Sequence, residues 1–278
     1  MDKQIVCINW GTRYGAPYIN RLYEMVRANT TPPFRFVAFT DTREGVHPDV
    51  VCFDLPEMPG FMPERTIGQW PKSRLWAPEL GDLKGSFLFL DLDVVITDSL
   101  DPFFEFGAPE DVILARNITK PLHKLGQTSI YRMPVGALAP LQAQFAADPQ
   151  GVADKYRFEQ HFVTKNAPNG IKFWPNGWVR HFRIECIPTF PLNYFKPSHP
   201  PKGTRVVIFA GSLNPPDAIA GRYHPKYEFL PPWQHIKRAL KSHRKLRYLR
   251  QFMWPADWVK DIWDKADRAW QSALETRK

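Results

Sequence analysis

The chain has 278 residues, 44% of them hydrophobic and 23% charged, with a formal net charge of +9 and a pI near 9.5. Those proportions suit one large soluble α/β domain, or such a domain with an appendage. No apolar run is long enough to span a bilayer, and the three scattered cysteines, Cys7, Cys52 and Cys186, exclude a disulfide frame or a zinc site. With no N-terminal apolar leader in the pattern, a cytoplasmic protein is expected. The basic excess favours anionic partners such as nucleotide sugars, anionic lipid or nucleic acid.

Residues 4–9 read as a short apolar strand. A turn with two glycines follows, then helical spacing over 16–29, with Ile19, Leu22 and Val26 on one stripe. Strand, glycine-containing turn and helix open a nucleotide-binding unit. Asn9, Thr12 and Tyr14 lie where a base or ribose would rest; because no full GxGxxG is present, a plain turn is the alternative. Residues 34–40 and 50–55 are two more strands, the first running into Asp41, which completes a βαββ pattern typical of an α/β core. Residues 56–71 are proline-rich and loop-like. Residues 71–80 predict a short helix carrying Lys72 and Arg74, either a phosphate clamp or a solvated face.

The stretch 87–100, FLFLDLDVVITDSL, organises the rest. A continuous apolar run reads as a strand buried on both faces. It meets two carboxylates, Asp91 and Asp93, which are costly to bury unpaired. They are tolerable at a strand's carboxyl end, where open α/β sheets bind ligands. Carboxylates at i and i+2 on extended backbone can point the same way, and their oxygens suit Mn²⁺ or Mg²⁺. A cation there would hold a diphosphate leaving group. A strand edge with two solvated acids is the bland alternative.

Further strands are expected at 111–116 and 205–210, with a polar-to-apolar stretch at 126–138 that includes Thr128 and Ser129. Residues 140–147 and 155–165 predict helices, the second bearing the pair Glu159–Gln160. Taken alone, such a pair on a helix is usually surface. Residues 173–182 are aromatic and basic, and 186–200 a proline-rich loop. After a linker at 225–232, a basic helix over 236–253 precedes a segment with Trp254, Trp258, Trp263 and Trp270. Basic residues beside interfacial tryptophans suit an anionic membrane surface. A helical pair packed on the core is the competing reading. No recognised nucleic-acid module is present, so no specific nucleic-acid partner is expected.

FLFLDLD resembles two families. Haloacid-dehalogenase-type phosphatases have an apolar strand ending in D-x-D-G-T, with the first aspartate as nucleophile; here Val94–Val95 stand where Gly-Thr is required. GT-A glycosyltransferases carry D-x-D at a strand end in the first half of the domain. The order of the N-terminal strand and turn, Thr40–Asp41, the Lys72–Arg74 helix and FLFLDLD resembles the glycogenin and lipopolysaccharide-galactosyltransferase group and its bacterial relatives. That resemblance implies a GT-A sandwich around a mostly parallel sheet over 1–222, split near 118 into nucleotide-binding and acceptor halves, with a helical extension over 223–278. It implies transfer of a sugar, with retention in the nearest relatives, from a nucleoside diphosphate donor, UDP-linked, to a glycan, lipid or other hydroxyl acceptor. Asn9, Thr12, Tyr14, Asp41, Lys72, Arg74 and Asp91 would contact the donor. Asp91 and Asp93 would hold Mn²⁺ or Mg²⁺, Thr128 and Ser129 would line the sugar pocket, and Glu159 and Gln160 would face the transferred sugar. The family's third metal ligand, a histidine, is replaced by Ala210, which leaves a non-catalytic nucleotide-sugar-binding protein as a further reading.

Overall fold

The computed structural model describes residues 3–58, 60–64, 69–120, 123–243 and 245–276. Residues 59 and 65–68 of the expected loop, and residue 244 of the expected basic helix, lie outside the described residues. Contacts divide the chain into two compact units: Met1–Tyr23, Asn29–Leu92 and Leu100–Pro175 form one, and Glu24–Ala28, Asp93–Ser99 and Asn176–Lys278 the other.

In chain order the elements begin β1 (Lys3–Asn9), α1 (Ala16–Ala28), β2 (Phe34–Thr40), β3 (Val51–Phe53), a 3₁₀ segment (Trp70–Trp76), β4 (Ser86–Leu90), β5 (Val95–Ile96), α2 (Asp101–Glu105), β6 (Ile113–Arg116) and β7 (Gly126–Pro134). Next come α3 (Ala139–Ala147), α4 (Pro149–Tyr156), α5 (Glu159–Asn166) and β8 (Lys172–Phe173). The first unit holds a seven-stranded sheet in the order β3-β2-β1-β4-β7-β6-β8. The run β3-β2-β1-β4 is parallel, β7 is antiparallel to β4 and β6, and β8 is parallel to β6. Phe87 to Leu90 of β4 are fully buried, as a continuous apolar run at the centre of such a sheet requires.

Val6, Ile8, Val37, Phe39, Phe87 and Phe89 line one sheet face and share a core with the 3₁₀ segment and α3 to α5. Trp70 stacks on Phe145 at 4.8 Å and 6°, and each large apolar side chain so buried contributes about 1.5–3 kcal/mol. Trp70, Leu75 and Trp76 thereby fix the 3₁₀ segment from both ends, and with it Lys72. The helix expected over 71–80 is this shorter segment, because Ala77 takes extended backbone (ψ 148°) before Pro78. The helix expected over 155–165 is two helices, α4 and α5. They part at Arg157, whose φ of 62° is incompatible with a continuing right-handed helix.

The second unit carries a three-stranded sheet, β5-β10-β9, formed by β9 (Val179–His181) and β10 (Val206–Ile208) with β5. β10 runs antiparallel to β5 and parallel to β9. Beyond it lie α6 (Pro215–Ile219), α7 (Pro232–Leu240), α8 (Lys245–Leu249) and α9 (Asp257–Thr276). The single basic helix expected over 236–253 is thus two short ones, α7 and α8. α9 turns Val259, Trp263 and Ala266 into the interior, and the Ala256 N–H donates to the Ala218 carbonyl of α6 at 2.9 Å. Among the described residues no helix is long and apolar enough to cross a membrane.

Candidate functional site

Strands β2, β1 and β4 are parallel, so Thr40–Asp41, Asn9 and Asp91 all follow carboxyl ends at one edge of the sheet. Strand order reverses between β1 and β4, the position at which open α/β sheets bind ligands. β7 enters antiparallel beside β4, which sets Thr128 and Ser129 next to Asp91. The Asp91 N–H donates to the Ser129 carbonyl at 2.8 Å.

Lys72 and Asp91 form the centre of the site. The Lys72 ammonium lies 2.6 Å from Asp91 Oδ1 and 2.8 Å from Oδ2. It also donates to the Thr128 carbonyl at 3.3 Å and sits over the Phe89 ring. The lysine side chain is 8% exposed and the aspartate 18%, so the two charges compensate each other out of water. The Thr128 hydroxyl donates to Glu159 Oε1 at 2.7 Å, and the Gln69 N–H to Oε2 at 3.4 Å. Glu159 is buried in the first turn of α5, where the helix dipole favours a negative charge. Gln160 beside it is half-buried, and its carbonyl accepts the Thr164 hydroxyl at 2.6 Å. The Ser129 hydroxyl accepts from Gln127 Nε2 at 2.5 Å.

Tyr131 is a member that the pattern of residue types did not disclose. It faces Phe89 across β4 and β7 and stacks on it at 4.6 Å. Its hydroxyl is buried and, among the described residues, has no hydrogen-bond partner. Burial, then the negative charges of Asp91 and Glu159, hold its proton on well above the usual phenol range. The signal that could have found it is an aromatic bearing a polar tip inside a strand that is otherwise core.

At the nucleotide turn, Asn9 Nδ2 donates to the Thr40 hydroxyl at 3.2 Å and Asn9 Oδ1 accepts the Gly15 N–H at 3.1 Å. Asp41 accepts the Gly11 N–H at 2.7 Å, where Gly11 has a φ of 64° that favours glycine. Asn9 and Asp41 therefore shape the turn, which leaves Thr12 exposed and Tyr14 half-buried. Arg74 points elsewhere, donating to the Pro56 carbonyl at 2.6 Å. A cleft of about 640 Å³ bounded by Phe39, Phe53, Met58, Ala77 and Gln142 contains none of the site residues expected from sequence. Asp93 belongs to the second unit and is buried, as are Val94 and Val95.

Among the described residues no group of three His, Cys, Asp or Glu stands ready to hold a metal. Mg²⁺ does not need one: it keeps several waters and binds through one or two carboxylates together with substrate phosphates. The oxygens of Asp91 fit such an ion, which would share that carboxylate with Lys72.

No known protein family matches the sequence, and no curated protein matches it. Solved structures do. LgtC, a galactosyltransferase in complex with donor and acceptor sugar analogs, superposes with a TM-score of 0.52 at 15% identity, over 92% of this chain and 98% of that one. An active-site mutant of LgtC gives 0.55 at 13%, over 89% and 94%. The apo glycosyltransferase GlyE of Streptococcus pneumoniae TIGR4 gives 0.53 at 10%, over 96% and 64%. The fold is GT-A. Within the GT-A frame the acidic strand end β4, the turn after β1 and the start of β7 meet at one sheet edge, and the helical C-terminal region α6 to α9 follows the second, smaller sheet.

Proposed function

We propose that this chain is a glycosyltransferase that moves a sugar from a nucleoside diphosphate donor, UDP-linked, to a hydroxyl of a glycan or lipid acceptor. One observation carries this reading. A largely buried cluster of Lys72, Asp91, Thr128 and Glu159, with Asp91 half-buried, lies at the switch point of a GT-A sheet. In it, Asn9, Thr12, Tyr14 and Asp41 would receive the nucleoside, and Lys72 with Asp91 the charged diphosphate end. Thr128, Ser129, Glu159 and Gln160 would meet the sugar, with the Glu159 carboxylate balancing positive charge at the anomeric carbon. Arg74 would act on the donor only after leaving the Pro56 carbonyl. A divalent cation, Mn²⁺ or Mg²⁺, is proposed on the two aspartates from their spacing in sequence. When bound, it would neutralise the departing diphosphate. Retention at the anomeric carbon, a cytoplasmic setting, a role in bacterial glycan or lipopolysaccharide synthesis, and contact of the 236–270 region with an anionic membrane belong to the same proposal.

Calorimetric titration of UDP with and without Mn²⁺ tests it. Binding is expected to tighten with the metal and to weaken at least tenfold in Asp91→Asn. UDP affinity that ignores both the metal and the substitution would sink the reading. A phosphatase, with Asp91 as nucleophile, would need Gly-Thr after the D-x-D, where this chain has Val94–Val95. A binder without turnover, suggested by Ala210, predicts the same titration but no release of UDP from any UDP-sugar.

A further inference from the structure

We infer that the second unit docks on an anionic bilayer through α7, α8 and the Leu192–Phe195 segment. Of the large apolar side chains that the described residues expose, all but Phe61 lie in this unit. On α7, Trp233 is 64% exposed, Leu240 59% and Ile236 39%. They stand at i, i+3 and i+7 and so share one face. His235 and Ala239 share another, and that one is buried. Lys237 and Lys241 follow the apolar stripe on the side away from the buried face. The helix therefore has three sectors: one toward the protein, one apolar and outward, one cationic. A helix that only packs on a core needs two. Three sectors suit a helix lying in a bilayer interface, with apolar side chains in the acyl boundary and cations at the headgroups.

The Leu192–Phe195 segment, which precedes β10 in the chain, adds Leu192 at 48% and Phe195 at 78% exposure, with Lys196 beside them. This loop is tied down. Tyr194 Oη is 2.8 Å from His235 Nδ1, its ring stacks on Phe252 at 4.4 Å and 5°, and Asn193 Nδ2 donates to the Phe252 carbonyl at 2.9 Å. Leu192 and Phe195 are thus held out by a fixed scaffold. Charge complementarity names the occupant. Between residues 229 and 256 the sequence carries seven lysines or arginines and neither aspartate nor glutamate. A protein partner would need a concentrated acidic face with apolar relief, whereas an anionic lipid surface offers both layers at once. Two of the tryptophans of α9 are engaged within the protein: Trp263 is buried, and Trp258 Nε1 donates to the Ser198 hydroxyl at 3.3 Å.

Co-sedimentation of the full-length protein with vesicles tests the inference, and needs no donor, so it is read separately from the UDP titration. Pelleting is expected with phosphatidylcholine mixed with phosphatidylglycerol, and not with phosphatidylcholine alone. It should fade as salt rises. Trp233→Ser with Leu240→Ser should weaken binding about tenfold or more, the weight of large apolar side chains returned to water. Lys237→Glu with Lys241→Glu should weaken it about tenfold at low salt. Both pairs are surface changes, so thermal melts of the variants should match the parent. No pelleting with the mixed vesicles overturns the inference, as does undiminished pelleting of the Trp233/Leu240 variant. Retention on a soluble polyanion without vesicle binding overturns it too, and assigns the charge to nucleic acid.

Discussion

Lys72 serves two needs at once in the proposed site: it compensates the half-buried Asp91 and keeps a cation where the diphosphate is proposed to lie. Breaking a buried pair from one side leaves an uncompensated charge and costs about 3 kcal/mol or more. Lys72→Met is therefore expected to lower the urea midpoint clearly and to weaken UDP binding together with it. Loss of affinity at unchanged stability would mean that the pair is not compensated as described. Thr128→Val keeps volume and removes only the hydroxyl that donates to Glu159 Oε1. A lost hydrogen bond to a buried charged group costs about 1.5–3 kcal/mol. A fall in kcat for UDP-sugar turnover, with KM nearly constant, is the expected result if Glu159 meets the sugar late on the reaction path. Of the residues in these contacts, residue type pointed to Lys72 and Asp91, and only the family resemblance to Thr128 and Glu159. Neither disclosed that the lysine meets the aspartate, or that the buried Tyr131 feels the charge of both carboxylates. Such pairings join positions 19 and 31 residues apart, and residue spacing carries no information about them.

Elements are set by local rules, and the exceptions mark where tertiary packing wins. Arg157 holds a φ of 62° between α4 and α5, a conformation that costs a side chain about 1–2 kcal/mol. Arg157→Gly should raise stability by about 1 kcal/mol in a urea melt, and a loss on that substitution would show that the arginine side chain itself holds the turn. This break places Glu159 at a helix start instead of mid-helix, which the apolar spacing of 155–165 concealed. Arg132 is another element-level surprise. It is fully buried within β7, where Nη1 donates to the Phe103 carbonyl at 3.0 Å and Nη2 to the Ala108 carbonyl at 2.7 Å. A charge inside an apolar strand is tolerable because it satisfies the carbonyls that end α2. By contrast β1, β2, β4, β6 and β10 fall where apolar runs bounded by turn residues put them, since burial on both faces requires such runs.

For the molecule as a whole, acid is the condition that tests its interior. His181 and His235 are both held down to about 4, by burial first and then by the neighbouring cations Arg183 and Arg238 respectively. Above the ordinary imidazole value of 6.5, folded and unfolded chains carry neutral rings alike. Below it the unfolded chain takes up protons that the folded one refuses, so stability falls as pH drops from 6.5 toward about 4. Thermal melts should be flat with pH above neutrality and decline through the mildly acidic range. A melting temperature that holds down to about pH 5, where free carboxylates are still ionised, would mean these rings are solvated. The same division between pattern and packing holds at this scale. Alternation and apolar runs are written along the chain, so the βαββ opening and the acidic end of β4 were legible in the sequence. Which carboxylate meets which cation, which face of α7 remains uncovered, and that α9 turns Trp263 inward while α7 leaves Trp233 exposed depend on strand order, register and helix rotation. Those are decided by contacts between distant segments, whose energies no local pattern contains.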